Sequence, residues 1–242
     1  MVSRETSARL DELAARYQLP ETATAALAAL LALQAVDPRA STSVRAPEDA
    51  VDRHVADSLS SLALGEVRSA QRIADIGSGA GWPGLALAAA LPGAHVALVE
   101  SAVRHCRYLE RAVEEARLQN VTVINARAEA WADGIGAHDL VTARAVAALP
   151  VLCEYAAPLL AEGGSLVAWK GAVSPGEAAD GRAAAEVLGL VAAEPVRAEP
   201  FPGAREHTLH AFRKIAPTPG RFPRRPGMAT KRPLSAQAPF QV

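Results

Sequence analysis

The run Asp75-Ile76-Gly77-Ser78-Gly79-Ala80-Gly81 sets a carboxylate and three alternating glycines at the end of a short apolar stretch. Glycines directly after a strand let the backbone approach a ligand closely. Pro83 then presets a helix whose N–H groups and dipole favour a carboxylate. Asp75 suits an α-ammonium group of the same ligand. Glu100, closing the next apolar run, is placed to accept both hydroxyls of a ribose, as acidic residues do in nucleoside-binding α/β folds. An amino acid carried on a nucleoside meets all three conditions, so the expectation is S-adenosylmethionine and methyl transfer. The sharpest rival is a dinucleotide-binding dehydrogenase, since Gly79-Ala80-Gly81-Trp82-Pro83-Gly84 satisfies G-x-G-x-x-G as a bare pattern. Against it, Asp75 would repel a pyrophosphate, and Gly79 comes late relative to the strand end.

The elements that must position these groups follow from hydrophobic periodicity. Residues up to about Ala35 read as helical, with Leu10, Leu13 and Tyr17 on one stripe, a break at Pro20, and Leu27, Leu30, Leu31 and Leu33 in an Ala-rich run. Asp37 to Pro47 reads as a loop, and Pro47-Glu48-Asp49 starts a helix carrying Arg53, His54 and Asp57. After Gln71, short apolar runs alternate with amphipathic helices, the pattern of βαβ units on a parallel sheet. Strands are predicted over Arg72–Ile76, His95–Val99, Val121–Asn125, Leu140–Arg144 and Ser165–Trp169, with Glu206–Ile215 as a late strand, an antiparallel edge by its position. From Ala216 the chain carries Pro217, Pro219, Pro223, Pro226, Pro233 and Pro239 and reads as an extended tail. The expected organisation is an N-terminal helical extension (1–71), an α/β domain (72–215) and a basic, Pro-rich tail (216–242).

The 242 residues, half of them hydrophobic, suffice for one generous core with additions. Two cysteines, Cys106 and Cys153, point to a reducing, cytosolic setting rather than a disulfide framework, and neither has a partner at zinc spacing. The longest apolar stretch, Ala25 to Val36, is interrupted by Gln34 and suits neither a membrane span nor a signal peptide. No metal is expected: His95, His105, His138, His207 and His210 lack ligand spacing and are assigned no chemistry. The net charge of −1 gives no global attraction to nucleic acid, yet from Phe212 onward there is no acidic residue, while Arg213, Lys214, Arg221, Arg224, Arg225, Lys231 and Arg232 are basic.

The ordered set of motifs resembles one family, the bacterial 16S ribosomal RNA guanine-N7 methyltransferases of the glucose-inhibited division protein B type. It is carried by Arg53-His54-xx-Asp57-Ser58, by the segment Asp75 to Gly84, and by Ala128-Glu129 after the third strand. Arg144-Ala145, Lys170-Gly171, Phe222-Pro223-Arg224-Arg225-Pro226-Gly227 and Lys231-Arg232-Pro233-Leu234 complete it. The resemblance implies a class I, Rossmann-like α/β fold, a mostly parallel twisted sheet with helices on both faces. It implies that Gly77 and Trp82 line S-adenosylmethionine beside Asp75, Gly79, Gly81 and Glu100, that Ala128 and Glu129 meet its adenine, and that Arg144 closes the site. The chain departs from the family at Trp82, where a smaller aliphatic is common, and over Ala40 to Val44, which lacks the usual Asn-Leu-Thr.

The implied partner is 16S ribosomal RNA or the 30S subunit, the implied target the guanine conventionally numbered 527, and the implied state a monomer. Guanine N7 presents a lone pair at neutral pH, so in-line attack on the sulfonium methyl needs no general base, and catalysis is mainly positioning. Arg144, Lys170 and His54 are the positioning candidates. His54 reads equally as an RNA contact or as a helix residue tying the extension to the sheet. Lys170 ends the fifth strand where it can reach phosphate or guanine O6. Arg53, Lys170, Arg221, Arg224, Arg225, Lys231 and Arg232 are the candidate RNA contacts. A methyltransferase of small molecules shares the glycine loop but not the tail; a non-catalytic RNA-binding module shares the tail but not the loop with Glu100.

Overall fold

The structure, a computed structural model, describes residues 1–204 and 206–236. Helices α1 (Arg4–Tyr17) and α2 (Ala23–Val36) lead into α3 (Pro47–Ala50), a π-helical turn (Val51–Ala56), α4 (Asp57–Leu59) and α5 (Gly65–Arg68). The alternating portion follows as β1 (Arg72–Ile76), α6 (Gly84–Ala90), β2 (His95–Glu100), α7 (Val103–Glu115), β3 (Val121–Asn125), β4 (His138–Arg144), α8 (Leu149–Ala156), β5 (Leu160–Lys170) and α9 (Pro175–Leu188). Short strands β6 (Leu190–Ala192) and β7 (Val196–Arg197) precede β8 (Thr208–Lys214), and α10 (Met228–Lys231) lies in the tail.

Local signals account for several boundaries. The Ser3 hydroxyl accepts from the Thr6 N–H to cap α1, and Ser174 accepts from the Glu177 N–H to cap α9, with Pro175 in its first turn. One sheet runs in the order β3-β2-β1-β4-β5-β8-β6. The five strands from β3 to β5 pair in parallel, whereas β8 is antiparallel to β5 and β6. The predicted late strand is therefore present but is not an edge: β6 and β7 both pair with it.

Side chains alternate between two cores, as a two-residue period requires. On one face Ile73, Val96, Leu98 and Leu140 pack with Leu27, Leu30, Leu85 and Tyr108 of α2, α6 and α7. On the other, Ala74, Val99, Val141 and Leu166 pack with Leu152, Ala184 and Leu188 of α8 and α9. The N-terminal helices thus share a core with the sheet. So does the tail, which corrects its reading as a segment with little structure of its own: Phe222 and Leu234 are buried in the second core, while residues 237–242, including Pro239, lie outside the described residues.

Arg224 anchors this tail. Its Nε donates to Glu154 Oε1 at 2.7 Å and its Nη2 to Oε2 at 2.5 Å, and the Glu154 carboxylate on α8 is almost wholly enclosed. The guanidinium thus serves the fold, which corrects its reading as an RNA contact. Removing one partner of an enclosed pair strands the other charge. Arg224→Ala is expected to lower unfolding free energy by about 3 kcal/mol, and Arg224→Leu/Glu154→Leu to recover most of the loss, both read from urea titrations.

Candidate active site

The turn after β1 positions the site. Gly77 and Gly79 take φ of +67° and +53°, and a Cβ on Gly77 would lie 2.7 Å from Val146 Cγ2. Gly81 stands off the cavity, and its place is set by packing, since a Cβ there would meet Leu85 Cδ1 at 2.2 Å. Asp75 is 1 % exposed; its Oδ1 accepts from the Thr142 hydroxyl at 2.9 Å and its Oδ2 from the Gly84 N–H at 3.3 Å. This corrects the reading of Asp75 as a partner for an α-ammonium. It is sealed beneath the turn, where it caps α6 and positions the loop, and it takes the helix amide expected to face a carboxylate. Burial pushes its carboxyl up to about 6 despite those hydrogen bonds.

Glu100 holds the loop from the next strand, its Oε2 accepting from the Gly79 N–H at 3.0 Å and its Oε1 from the Ala102 N–H at 2.8 Å. A carboxylate offers about four acceptor positions, so capacity for two hydroxyls is left. Glu100 registers with Asn125 on β3, and the turn Ala128–Ala130 follows, with half-buried Glu129 accepting from the Gly227 N–H at 3.1 Å. Acids at the ends of β2 and β3 beside a glycine turn off β1 fit S-adenosylmethionine, with Glu100 able to hold the ribose.

A cavity of about 920 Å³ opens from the glycine turn toward the ends of β4 and β5 and the loop before β8. Its wall brings together Gly77, Gly79, Trp82, His54, Arg144 and Lys170, with Arg53 at the exposed rim. Glu100, Ala128 and Glu129 lie outside this wall, on the β2–β3 side. Arg144 donates from Nη1 to Asp57 Oδ2 at 2.8 Å and from Nη2 to His54 Nδ1 at 3.0 Å. Because Nδ1 accepts, Nε2 carries the His54 proton and donates to Thr42 Oγ1 at 3.0 Å. His54 also stacks on Trp82, with centroids 5.8 Å apart, and the Trp82 indole donates to Gln34 Oε1 at 2.6 Å. His54 thus ties the extension to the sheet, the second of the two readings its sequence position allows.

Lys170 is held as well, by Glu177 Oε1 at 2.8 Å and the Ala147 carbonyl at 3.2 Å, which leaves one of its three donors for a ligand. Arg221, Arg225, Lys231 and Arg232 are exposed on the tail. Two partners escaped the sequence reading. His207 donates from Nδ1 to Asp57 Oδ1 at 2.9 Å across 150 positions, and Thr42 receives both the His54 and the Val44 N–H. No periodicity or spacing marks either; only the fold joins them. Among the described residues no cluster of three His, Cys, Asp or Glu could hold a metal, and no helix is long and apolar enough to cross a membrane.

Five parallel strands in this order followed by an antiparallel β8 inserted beside β5, with a glycine turn after the first strand and an acid closing the second, form the sheet of the class I methyltransferases, which use S-adenosylmethionine. Solved structures share the fold: a mitomycin 7-O-methyltransferase (TM-score 0.57, 14% identity, covering 71% of this chain and 56% of that one) and Aeropyrum pernix fibrillarin with natively bound S-adenosyl-L-methionine (0.50, 20%, 65% and 72%). Residues 29–199 match the family model described as rRNA small subunit methyltransferase G, and the chain belongs to that family. Proteins named ribosomal RNA small subunit methyltransferase G are similar along most of their length. The Rubrobacter xylanophilus protein is 43% identical over 78% of this chain and 75% of its own, and that of Roseiflexus castenholzii 41% identical over 80% and 83%.

Burial and the neighbouring Arg144 charge hold His54 down to about 4, whereas an unfolded histidine titrates near 6.5. Between those values the unfolded chain binds the extra proton, so this group's contribution to stability is present above about 6.5 and is lost as pH falls toward 4. Asp75 acts in the opposite sense, since its raised carboxyl keeps a proton in the fold that the unfolded chain releases near 3.8. Comparison with a variant isolates the histidine. His54→Gln is expected to lose less stability than the native protein between pH 6.5 and 4.5, read as the shift in urea midpoint.

Proposed function

We propose that this protein transfers the methyl group of S-adenosylmethionine to N7 of a guanine in 16S ribosomal RNA, the family target being guanine 527. The observation that carries the reading is the state of the cavity beside the glycine turn. Of the acids and histidines on its wall, Glu206 and His207 stand at the far, β8 side, while His54 and Asp57 are engaged: both His54 nitrogens are bonded, and Asp57 accepts from Arg144 and His207. Neither is available as a general base. An acceptor that brings its own lone pair needs none, and N7 is such an acceptor.

Bound S-adenosylmethionine supplies an electrophilic sulfonium methyl. The chain's own residues orient and enclose. Asp75 fixes the turn, Glu100 can accept the ribose hydroxyls, and Ala128 with Glu129 flank the adenine side. Arg144 is held rigid at the carboxyl end of β4, where ligands gather in open α/β sheets, and Lys170 keeps one donor for O6 or a phosphate. Holding reacting atoms in near-attack geometry can supply about 7–11 kcal/mol. A base must leave its stack to enter such a cavity, which is cheapest in a loop. The names of the similar proteins and the acid-free sequence after Phe212 support ribosomal RNA over a small molecule.

The protein, given S-adenosylmethionine and 30S particles from a strain lacking the endogenous enzyme, is expected to create one new N7-methylguanine, mapped by borohydride–aniline cleavage. No methyl gain at any guanine would falsify the reading. The exposed tail cations are assigned to the RNA backbone. Arg225→Ala/Lys231→Ala/Arg232→Ala is expected to flatten the slope of log affinity against log salt by about 2, at roughly 0.7 per phosphate on single strands. An unchanged slope would remove the tail from the interface.

A further inference from the structure

Two carboxylates stand on the cavity wall, Asp57 and Glu206. Asp57 is buried and engaged by Arg144 and His207. Glu206 is exposed to the cavity and, among the described residues, has no ion pair. It is held at φ +59°, in a region that non-glycine residues keep only where the surroundings over-determine them. Glu206 lies in the loop before β8, and β8 is three strand spacings from β1 through β4 and β5, about 14 Å. The cavity spans this interval, from the glycine turn to Phe201, Glu206 and His207.

Guanine has two unlike edges. N7 and O6 accept on one, while N1–H and the 2-amino group donate on the other. If N7 faces the glycine turn, where the methyl group must be, the donating edge faces away from it, toward the β8 side. We propose that Glu206 selects the base, its carboxylate accepting from N1–H and the 2-amino group. Phe201, whose ring meets His207 edge-on at 5.8 Å, is placed beside it to cover the base face. Adenine has no donor at either position, so the same carboxylate rejects it. The inference rests on the guanine-N7 reading and adds the residue that enforces it.

The test uses the full chain with 30S particles reconstituted from ligated 16S RNA bearing guanine or inosine at the target position; inosine lacks only the 2-amino group. Hydrogen bonds to a charged group are strong enough to discriminate about tenfold or more. The native protein is expected to favour guanine by at least about tenfold in kcat/KM. Glu206→Ala is expected to be slower on guanine by a similar factor, with its guanine-to-inosine ratio near one. Its affinity for S-adenosylmethionine, measured by calorimetry, should be native, which shows that the variant is folded. A native ratio near one, or a native-like ratio in Glu206→Ala, would overturn the assignment while leaving guanine methylation in place. A native protein that methylates no guanine would overturn the functional reading and this inference with it.

Discussion

The carboxylate of Asp57 fixes the geometry on which the cavity depends. It receives one hydrogen bond from Arg144 at the end of β4 and another from His207 just before β8, while its backbone carbonyl takes the Trp169 indole N–H of β5 at 3.0 Å. The N-terminal segment, two strands and the loop before β8 therefore meet at one residue that is 4 % exposed. A buried carboxylate is unfavourable unless it is paired, so Asp57 depends on Arg144 at one oxygen and His207 at the other. Arg144, fixed in this way, has its second amine left to set the tautomer of His54. His54 in turn stacks on Trp82 and bonds Thr42, so the arrangement of one wall propagates from a single ionic contact.

The glycine turn is stiffened by a comparable device on the other side. The Gly77 and Ser78 amides donate to the Val99 carbonyl, Gly79 to Glu100, and Gly84 to Asp75. With those donors engaged inside the protein, the turn contributes shape more than free hydrogen bonds. What it offers a ligand is close backbone approach at Gly77 and Gly79 and the unused acceptor capacity of Glu100. A preorganised turn loses little freedom when a ligand arrives.

Much of this was legible in the sequence, and the division follows a physical line. The strands of the parallel sheet show as short apolar runs because both faces are buried, and the turn after β1 shows because glycine and proline punctuate locally. Roles that depend on which way a side chain points were not legible. Asp75 has the right type and position for an ammonium ligand, yet its carboxylate turns inward to cap α6. The tail reads as unstructured from its prolines, but Phe222, Leu234 and the Arg224–Glu154 pair are long-range contacts without a period. His207 lacks metal spacing, so its chemistry could be found only when β8 was placed against β5.

The strand order explains why two ligands can be served by one edge of the sheet. From β1 the chain proceeds to β2 and β3 on one side and then returns to β4 and β5 on the other, so the connections diverge at the β1–β4 boundary and a crevice opens above it. The acids Glu100 and Glu129 fall at the end of β2 and in the turn after β3. Groups that wall the large cavity, Arg144, Lys170 and His207, fall at the ends of β4 and β5 and before β8. The antiparallel β8 matters here, because a parallel strand in that place would send its preceding loop to the opposite edge. By reversing direction it brings Phe201, Glu206 and His207 to the carboxyl ends of β4 and β5, and the cavity gains its far wall. The glycine turn stands at the junction of the two halves, between the acids after β2 and β3 on one side and the large cavity on the other.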